Sequence, residues 1–194
     1  MAIIIAVAAF TLRYAPTGFI YIVPFTWCPI IARVFYDSRT AIFVHLITIF
    51  IISLAAPAPY LFILIQFIVG VIAVISLRDM TQRAQLAQTA AFILLSYSIL
   101  YTAATLLMAG NISDIDYRYY IYFVINAVLV ICSYGLIFLF ERCFGLISNI
   151  TLVELTNVNS NLMLAFAEKA PGTFQHSLQV SNLATEAAKR IGAK

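Results

Sequence analysis

The sequence predicts an all-α protein: a polytopic transmembrane helical bundle followed by a linker helix and the opening helix of a water-soluble domain. Three observations predict it. Of the 194 residues, 63% are hydrophobic and 10% are charged, whereas soluble domains carry roughly 25% charged residues. The apolar residues fall in blocks of about 17 to 22, the length that crosses a hydrocarbon core, and the gaps between blocks hold nearly all the charge outside the tail. From Glu141 onward the composition turns to mixed polar and apolar residues at helical spacing.

The blocks place spans at about 1–12 (incomplete), 15–35, 40–56, 60–77, 88–109 and 119–140, which is five full helices and one stub. Met1 to Leu12 lacks a basic leader and a small-residue cleavage site, so it reads as the end of a span rather than a signal peptide. Pro16, Pro24 and Pro29 each remove a helical hydrogen-bond donor, so segment 15–35 is expected to be a kinked, broken or re-entrant span. Pro57 and Pro59 divide what would otherwise be one long apolar run into two antiparallel helices.

Basic residues set the expected orientation. With Arg142 on the cytoplasmic side, Arg33, Arg39, Arg78 and Arg83 are cytoplasmic too, and Arg13 and Arg118 lie outside. Tyr117, Tyr119, Tyr120 and Tyr122, beside Asp114 and Asp116, suit an aromatic belt at the outer interface. The expectation is a multi-pass protein of the cell membrane with a cytoplasmic C-terminus. The same count runs the stub from inside to outside, so a chain with an external domain needs a further span before Met1; the sequence reads as incomplete at its start.

Three regions are expected: a transmembrane domain over 1–140, a linker over 141–170 and the start of a soluble domain over 171–194. In the linker, Leu146, Ile147, Ile150, Val153, Leu155, Val158, Leu162 and Phe166 recur mostly three and four apart, predicting an amphipathic helix that continues from the last span. Asn157, Asn159, Ser160 and Asn161 suggest a bend in it. Such a helix is either a signalling element acting through homodimer contacts or a plain connector. Pro171 and Gly172 are expected to stop it and Thr173 to cap the next helix. On that helix His176, Val180, Leu183, Ala184, Ala187 and Ile191 share one stripe.

Few residues carry chemistry on spacing alone. His176 is a metal-ligand candidate, a satisfied buried histidine or a semi-exposed cap residue. His45 lies mid-span, where an ionisable group is expensive; it reads as a proton or ligand contact, or as a histidine bonded to a neighbouring helix carbonyl. Gln66 and Asn126 lie similarly and read as helix bridges. The aromatic residues of the spans read as lipid contact and packing, not a cofactor box. Cys28, Cys132 and Cys143 lack CxxC spacing and read as small buried hydrophobes. The net charge of +3 is too dispersed for a nucleic-acid polymer. No GxxxxGK[ST], HExxH or GxSxG motif occurs.

Three runs carry a family resemblance. They are Glu141-Arg142-Cys143-Phe144-Gly145, Thr151-Leu152-Val153-Glu154-Leu155, and the segment from Ala170-Pro171-Gly172-Thr173-Phe174-Gln175-His176-Ser177 to Ala184. Upstream, Pro29 to Ala41, through Arg33, Asp37, Ser38, Arg39 and Thr40, fits as a loop between membrane helices. Together they resemble the seven-transmembrane HD-domain phosphodiesterases of the PgpH type, which hydrolyse cyclic di-AMP. The resemblance implies that 171–194 opens an HD domain and that His176 matches its first metal-ligand histidine. It further implies a pair of divalent ions, Mn or Fe, that activate water against a phosphodiester, with the remaining ligands beyond Lys194, so that this stretch alone holds no ion pair. Asn161 departs from the proline common in the family. The resemblance makes the chain the membrane anchor or sensor of a phosphodiesterase whose partners are the lipid bilayer and cyclic di-AMP. From the residues alone, a non-enzymatic membrane sensor recruiting a cytoplasmic partner and a small transporter or channel remain open.

Overall fold

Proline, glycine and short polar residues cut the apolar sequence into helices at physically expected points. The computed structural model describes residues 1–77, 84–111, 113, 115–146, 148, 151 and 160–192. The basic residues Arg78 and Arg83, Asp114, and most of the linker stripe, including Ile147, Ile150, Val153, Leu155 and Val158, lie outside the described residues. The chain divides into two compact units, Met1–Ile150 and Thr151–Lys194.

Among the described residues, the first unit is a bundle of six α-helices: α1 (Ala2–Tyr14), α2 (Trp27–Phe35), α3 (Ser38–Ser53), α4 (Pro59–Ser76), α5 (Ala84–Ala109) and α6 (Arg118–Phe144), with a 3-10 helix at Thr17–Ile22 between α1 and α2. Neighbours in sequence from α2 to α6 pack side by side, α4 and α5 among them although the residues joining these two lie outside the description, and α2 also reaches α4 and α6. Among the described residues, four stretches are long and apolar enough to cross a membrane: Gly18–Phe35, Pro59–Ser76, Gln85–Met108 and Arg118–Phe144. The protein is a multi-pass membrane protein.

Segment 15–35 is not one helix, and the broken form is the one realised. Pro16 starts the 3-10 turn, and the extended backbone at Val23 ends it before Pro24; α2 begins only at Trp27. A proline disfavours helical geometry in the residue before it, which accounts for the break at Val23. The span expected at 40–56 also shortens: α3 has 16 residues, about 24 Å, less than the roughly 30 Å of hydrocarbon, because the chain already turns at Leu54 before Pro57. At its other end Asp37 caps α3, accepting hydrogen bonds from the amide and the hydroxyl of Thr40. Tyr36 and Asp37 alone thus form the turn that stops α2 and starts α3, so most of the Pro29–Ala41 stretch expected as a loop is helical.

Inside and outside are reversed relative to a soluble protein. Phe43, Leu46 and Phe50 on α3, Phe92, Leu95 and Ile99 on α5, and Ile121, Val124, Val128 and Ile131 on α6 are exposed at three- and four-residue intervals, the faces a bilayer covers. His45, Thr48, Gln66, Thr89, Asn126 and Ser133 are buried. Cys28 is buried, whereas Cys132 and Cys143 are exposed, which corrects the expectation of three buried thiols. Cys132 lies beside Ile131 on the lipid-facing side of α6, where a small apolar side chain gains nothing by burial.

The last span does not run on into the linker as expected. Gly145 adopts the left-handed conformation at φ 64°, a geometry glycine takes without penalty and the usual way a helix ends. In the second unit α7 (Asn161–Lys169) is capped by the Ser160 hydroxyl, which accepts from the Met163 amide. Asn161 is therefore the first helical residue, the position that best accepts proline, so asparagine there leaves the helix start intact. The next helix, α8, spans Pro171–Arg190. Pro171 opens it rather than stopping α7, and the cap position is Ala170, not Thr173. Fixed proline φ suits a first helical turn, and the residue ahead is pushed out of helical geometry; Ala170 sits at φ −142°, ψ 63°. Phe166 and Phe174 meet edge to face at 5.7 Å across this corner.

Candidate functional site

Polar side chains join the helices of the bundle. His45 on α3, 2% exposed, places its Nε2 2.9 Å from the Gln66 carbonyl oxygen of α4. Gln66 in turn accepts a hydrogen bond from the Tyr97 hydroxyl of α5 at 2.7 Å. The approach of α3 to α4 depends on Gly70: a β-carbon built there would lie 2.0 Å from His45 Nε2 and 2.2 Å from Cδ2. The imidazole thus occupies the space a side chain at position 70 would need. His45 Nδ1 and Gln66 Nε2 are buried without a hydrogen-bond partner among the described residues.

Asn126 on α6 serves the broken span. Its Nδ2 donates to the carbonyls of Tyr21 at 3.0 Å and Val23 at 3.1 Å, oxygens left without helical partners where the 3-10 turn ends. Trp27 donates from Nε1 to the Leu129 carbonyl at 2.9 Å. Gln66 and Asn126 therefore bridge helices as their positions suggest, and His45 is bonded to a neighbouring helix carbonyl, one of its two sequence readings.

At the end of the bundle formed by the 3-10 turn, the α3–α4 turn and the start of α6, aromatic rings gather. Tyr101 stacks on Tyr119 at 4.7 Å, Tyr97 stacks on Phe123 at 5.0 Å, and Tyr21 stands edge-on to Tyr119 at 5.7 Å and Phe123 at 6.0 Å. Tyr119 and Tyr122 also press on Gly18, where a β-carbon would lie 2.9 Å from the Tyr122 ring. Of the four tyrosines expected in an interfacial belt, Tyr117 is exposed, whereas Tyr119, Tyr120 and Tyr122 are half-buried against this cluster. A cavity of about 170 Å³ opens among Tyr21, Phe62, Tyr101, Tyr119 and the Ala56–Ala58 turn. Sequence periodicity gave no sign of it. At the opposite end, a wider apolar cavity of about 370 Å³ lies between Cys28, Phe35 and Val44 and the last turns of α6 at Phe140 and Phe144.

His176 lies on the second turn of α8 and is exposed, as are Val180, Leu183 and Ile191 of the same stripe. Among the described residues, no group of three or more His, Cys, Asp or Glu side chains comes together to hold a metal ion. The two histidines belong to different units, His45 in Met1–Ile150 and His176 in Thr151–Lys194.

A family model described as a 7TM receptor with intracellular HD hydrolase matches residues 1–148. The chain is 31% identical over 185 residues to the cyclic-di-AMP phosphodiesterase PgpH of Listeria monocytogenes, covering 89% of this chain and 25% of that protein. It is 27% identical over 193 residues to the cyclic-di-AMP phosphodiesterase PgpH of Bacillus subtilis, covering 89% of this chain and 26% of that protein. An uncharacterized protein of Synechocystis is 47% identical over 51 residues, 26% of this chain and 6% of its own length. The chain spans about a quarter of the length of the two phosphodiesterases it matches. No solved structure matches it. A polytopic bundle with exposed apolar faces, matched over residues 1–148 by the family model, places the chain in the family of 7TM receptors with an intracellular HD hydrolase.

Proposed function

We propose that the chain is the membrane part of a metal-dependent cyclic di-AMP phosphodiesterase, with α8 as the opening helix of its HD domain, residues 171–194 the start of that domain and His176 one of its metal ligands. The observation that carries the reading is the breadth of the likeness to PgpH. Matches over 89% of the chain are broader than the family model's match over residues 1–148. In the structure, Pro171 starts a regular helix on which this imidazole is solvent-accessible, as a ligand awaiting further donors has to be.

A single imidazole does not hold an ion pair, and among the described residues no group of three or more His, Cys, Asp or Glu side chains forms around it. What this chain contributes is placement. The bundle fixes the protein in the bilayer, α6 ends at Gly145, and the linker 141–170 joins it to the catalytic side.

Orientation follows the arginines. Arg33 lies in the last turn of α2 and Arg142 in the last turn of α6. Residues flanking both, Phe35, Tyr36, Thr40 and Phe144, line one cavity, so these cations share one end of the bundle, with Arg39 in the adjoining turn. Arg118 begins α6 at the other end. By the excess of basic residues, the Phe144 end is cytoplasmic.

The test is hydrolysis of cyclic di-AMP with Mn by the full-length protein, comparing wild type with His176→Ala. The expected result is metal-dependent hydrolysis that falls at least about a hundredfold in the variant, as befits loss of a ligand when outer-shell losses alone cost 10- to 100-fold. Undiminished hydrolysis in His176→Ala would remove the ligand assignment. A reporter fused after Lys194 that reads as extracytoplasmic would overturn the orientation.

A further inference from the structure

We propose that the aromatic cavity at the Tyr119 end of the bundle is a binding site for a small methylated ammonium cation. The cavity has the size for it: at about 170 Å³ it is comparable to an engineered cavity of about 150 Å³ that admits benzene, so it takes a ligand of about five to seven non-hydrogen atoms. Its walls select charge. Tyr21, Phe62, Tyr101 and Tyr119 supply ring surfaces, and aromatic faces attract cations through their quadrupole, most strongly where water is excluded. Phe62 is 2% exposed, Tyr21 8% and Tyr101 9%, so three of the four rings are buried.

The remaining wall points the same way. It is the Ala56-Pro57-Ala58 turn together with Ile20 and Leu61; Pro57 has a carbonyl but no N–H to offer an anion. None of the lining residues is Lys, Arg or His. Asp116 is close in the chain, its carbonyl accepting from the Tyr119 amide at 3.2 Å. Arg118 is exposed and does not line the cavity. An anion would find no cationic side chain among the lining residues, whereas four aromatic side chains favour a cation. Pro57 and Ala58 are exposed, so the mouth opens at the end of the bundle from which a water-borne ligand can enter.

The site joins four elements: the 3-10 turn through Tyr21, α4 through Phe62, α5 through Tyr101 and α6 through Tyr119. A bound cation would therefore bridge all of them at the end remote from Phe144, about 40 Å away along the 27 residues of α6. This inference does not rest on the phosphodiesterase reading, because binding is read on the chain in lipid nanodiscs without any hydrolysis.

The experiment measures binding of radiolabelled choline, with its neutral isostere 3,3-dimethylbutan-1-ol as competitor, to wild type, Tyr119→Phe, Tyr119→Leu and Ala58→Phe. Ala58 is exposed, so Ala58→Phe closes the mouth without disturbing the packed rings and keeps the test valid where Tyr119→Leu fails to fold. Saturable choline binding, with the neutral isostere at least about tenfold weaker, is expected for wild type and Tyr119→Phe and is expected to be lost in the other two. Absence of saturable choline binding to wild type, equal affinity for the isostere, or undiminished binding to Ala58→Phe would overturn the proposal.

Discussion

The bundle and the C-terminal helices use their histidines in opposite ways. In the bundle, His45 is enclosed, bonded to the Gln66 carbonyl and seated where Gly70 leaves room. In the second unit His176 stands exposed on a regular helix, with the apolar residues Val180, Leu183 and Ile191 exposed beside it. The contrast teaches that an ionisable residue in a membrane segment is tolerated when it replaces a backbone bonding partner between helices. Chemistry on a substrate needs the reverse, a donor left free to meet others.

The contrast breaks most visibly at position 70. Gly70→Leu puts carbon where the His45 ring lies, combining overpacking of about 1–3 kcal/mol with loss of a buried hydrogen bond. The expected cost to bundle stability in mixed-micelle unfolding is about 3 kcal/mol or more. His45→Ala is expected to restore most of the loss in Gly70→Ala, a coupling a double-mutant cycle measures directly; additive losses would show that the two residues do not share the space.

Smaller losses follow for the other bridges. Asn126→Leu removes the donor to Tyr21 and Val23 and is expected to cost about 1–2 kcal/mol. Tyr97→Phe, which removes only the hydroxyl on Gln66, is expected to cost about 0.6–1.7 kcal/mol, the range for polar contacts between membrane helices. By contrast His176→Ala, at an exposed position, is expected to leave bundle unfolding unchanged within about 0.5 kcal/mol.

The smallest expected effect is pH-dependent and sits in the turn between α2 and α3. The Thr40 hydroxyl, then its amide, hold the Asp37 carboxyl below the usual aspartate range. Its contribution to stability is present in full above the ordinary aspartate value of about 3.9. It is lost as pH falls through the lowered value in the folded protein, because the unfolded chain takes up the proton first. Between pH 6 and pH 3 wild type is expected to lose slightly more stability than Asp37→Ala; an equal loss would show that the cap is unformed.

Hydropathy made the spans legible because a hydrocarbon solvent imposes length and apolarity on each crossing, and Pro24 and Pro57 marked where helices had to break. Gln66 and Asn126 were readable as bridges for the same reason: a lone amide in a span has to find a partner. Pairings across the chain were not readable. Gly70 is 25 residues from His45 in sequence, and nothing local marks it as the residue that makes room for the ring. The aromatic cavity was hidden likewise, since Tyr21, Phe62, Tyr101 and Tyr119 come from four elements and each alone reads as packing or interface. The end of α6 was misread because Leu146 continues the apolar spacing, while the left-handed Gly145 overrides it.

The most direct test of the account separates the two regions in one protein. Cyclic di-AMP hydrolysis and bundle unfolding are measured together on full-length wild type, His176→Ala and Gly70→Leu. The account predicts that His176→Ala loses hydrolysis at least about a hundredfold with unfolding unchanged, and that Gly70→Leu loses bundle stability. Full hydrolysis in His176→Ala, or an unchanged bundle in Gly70→Leu, would contradict it.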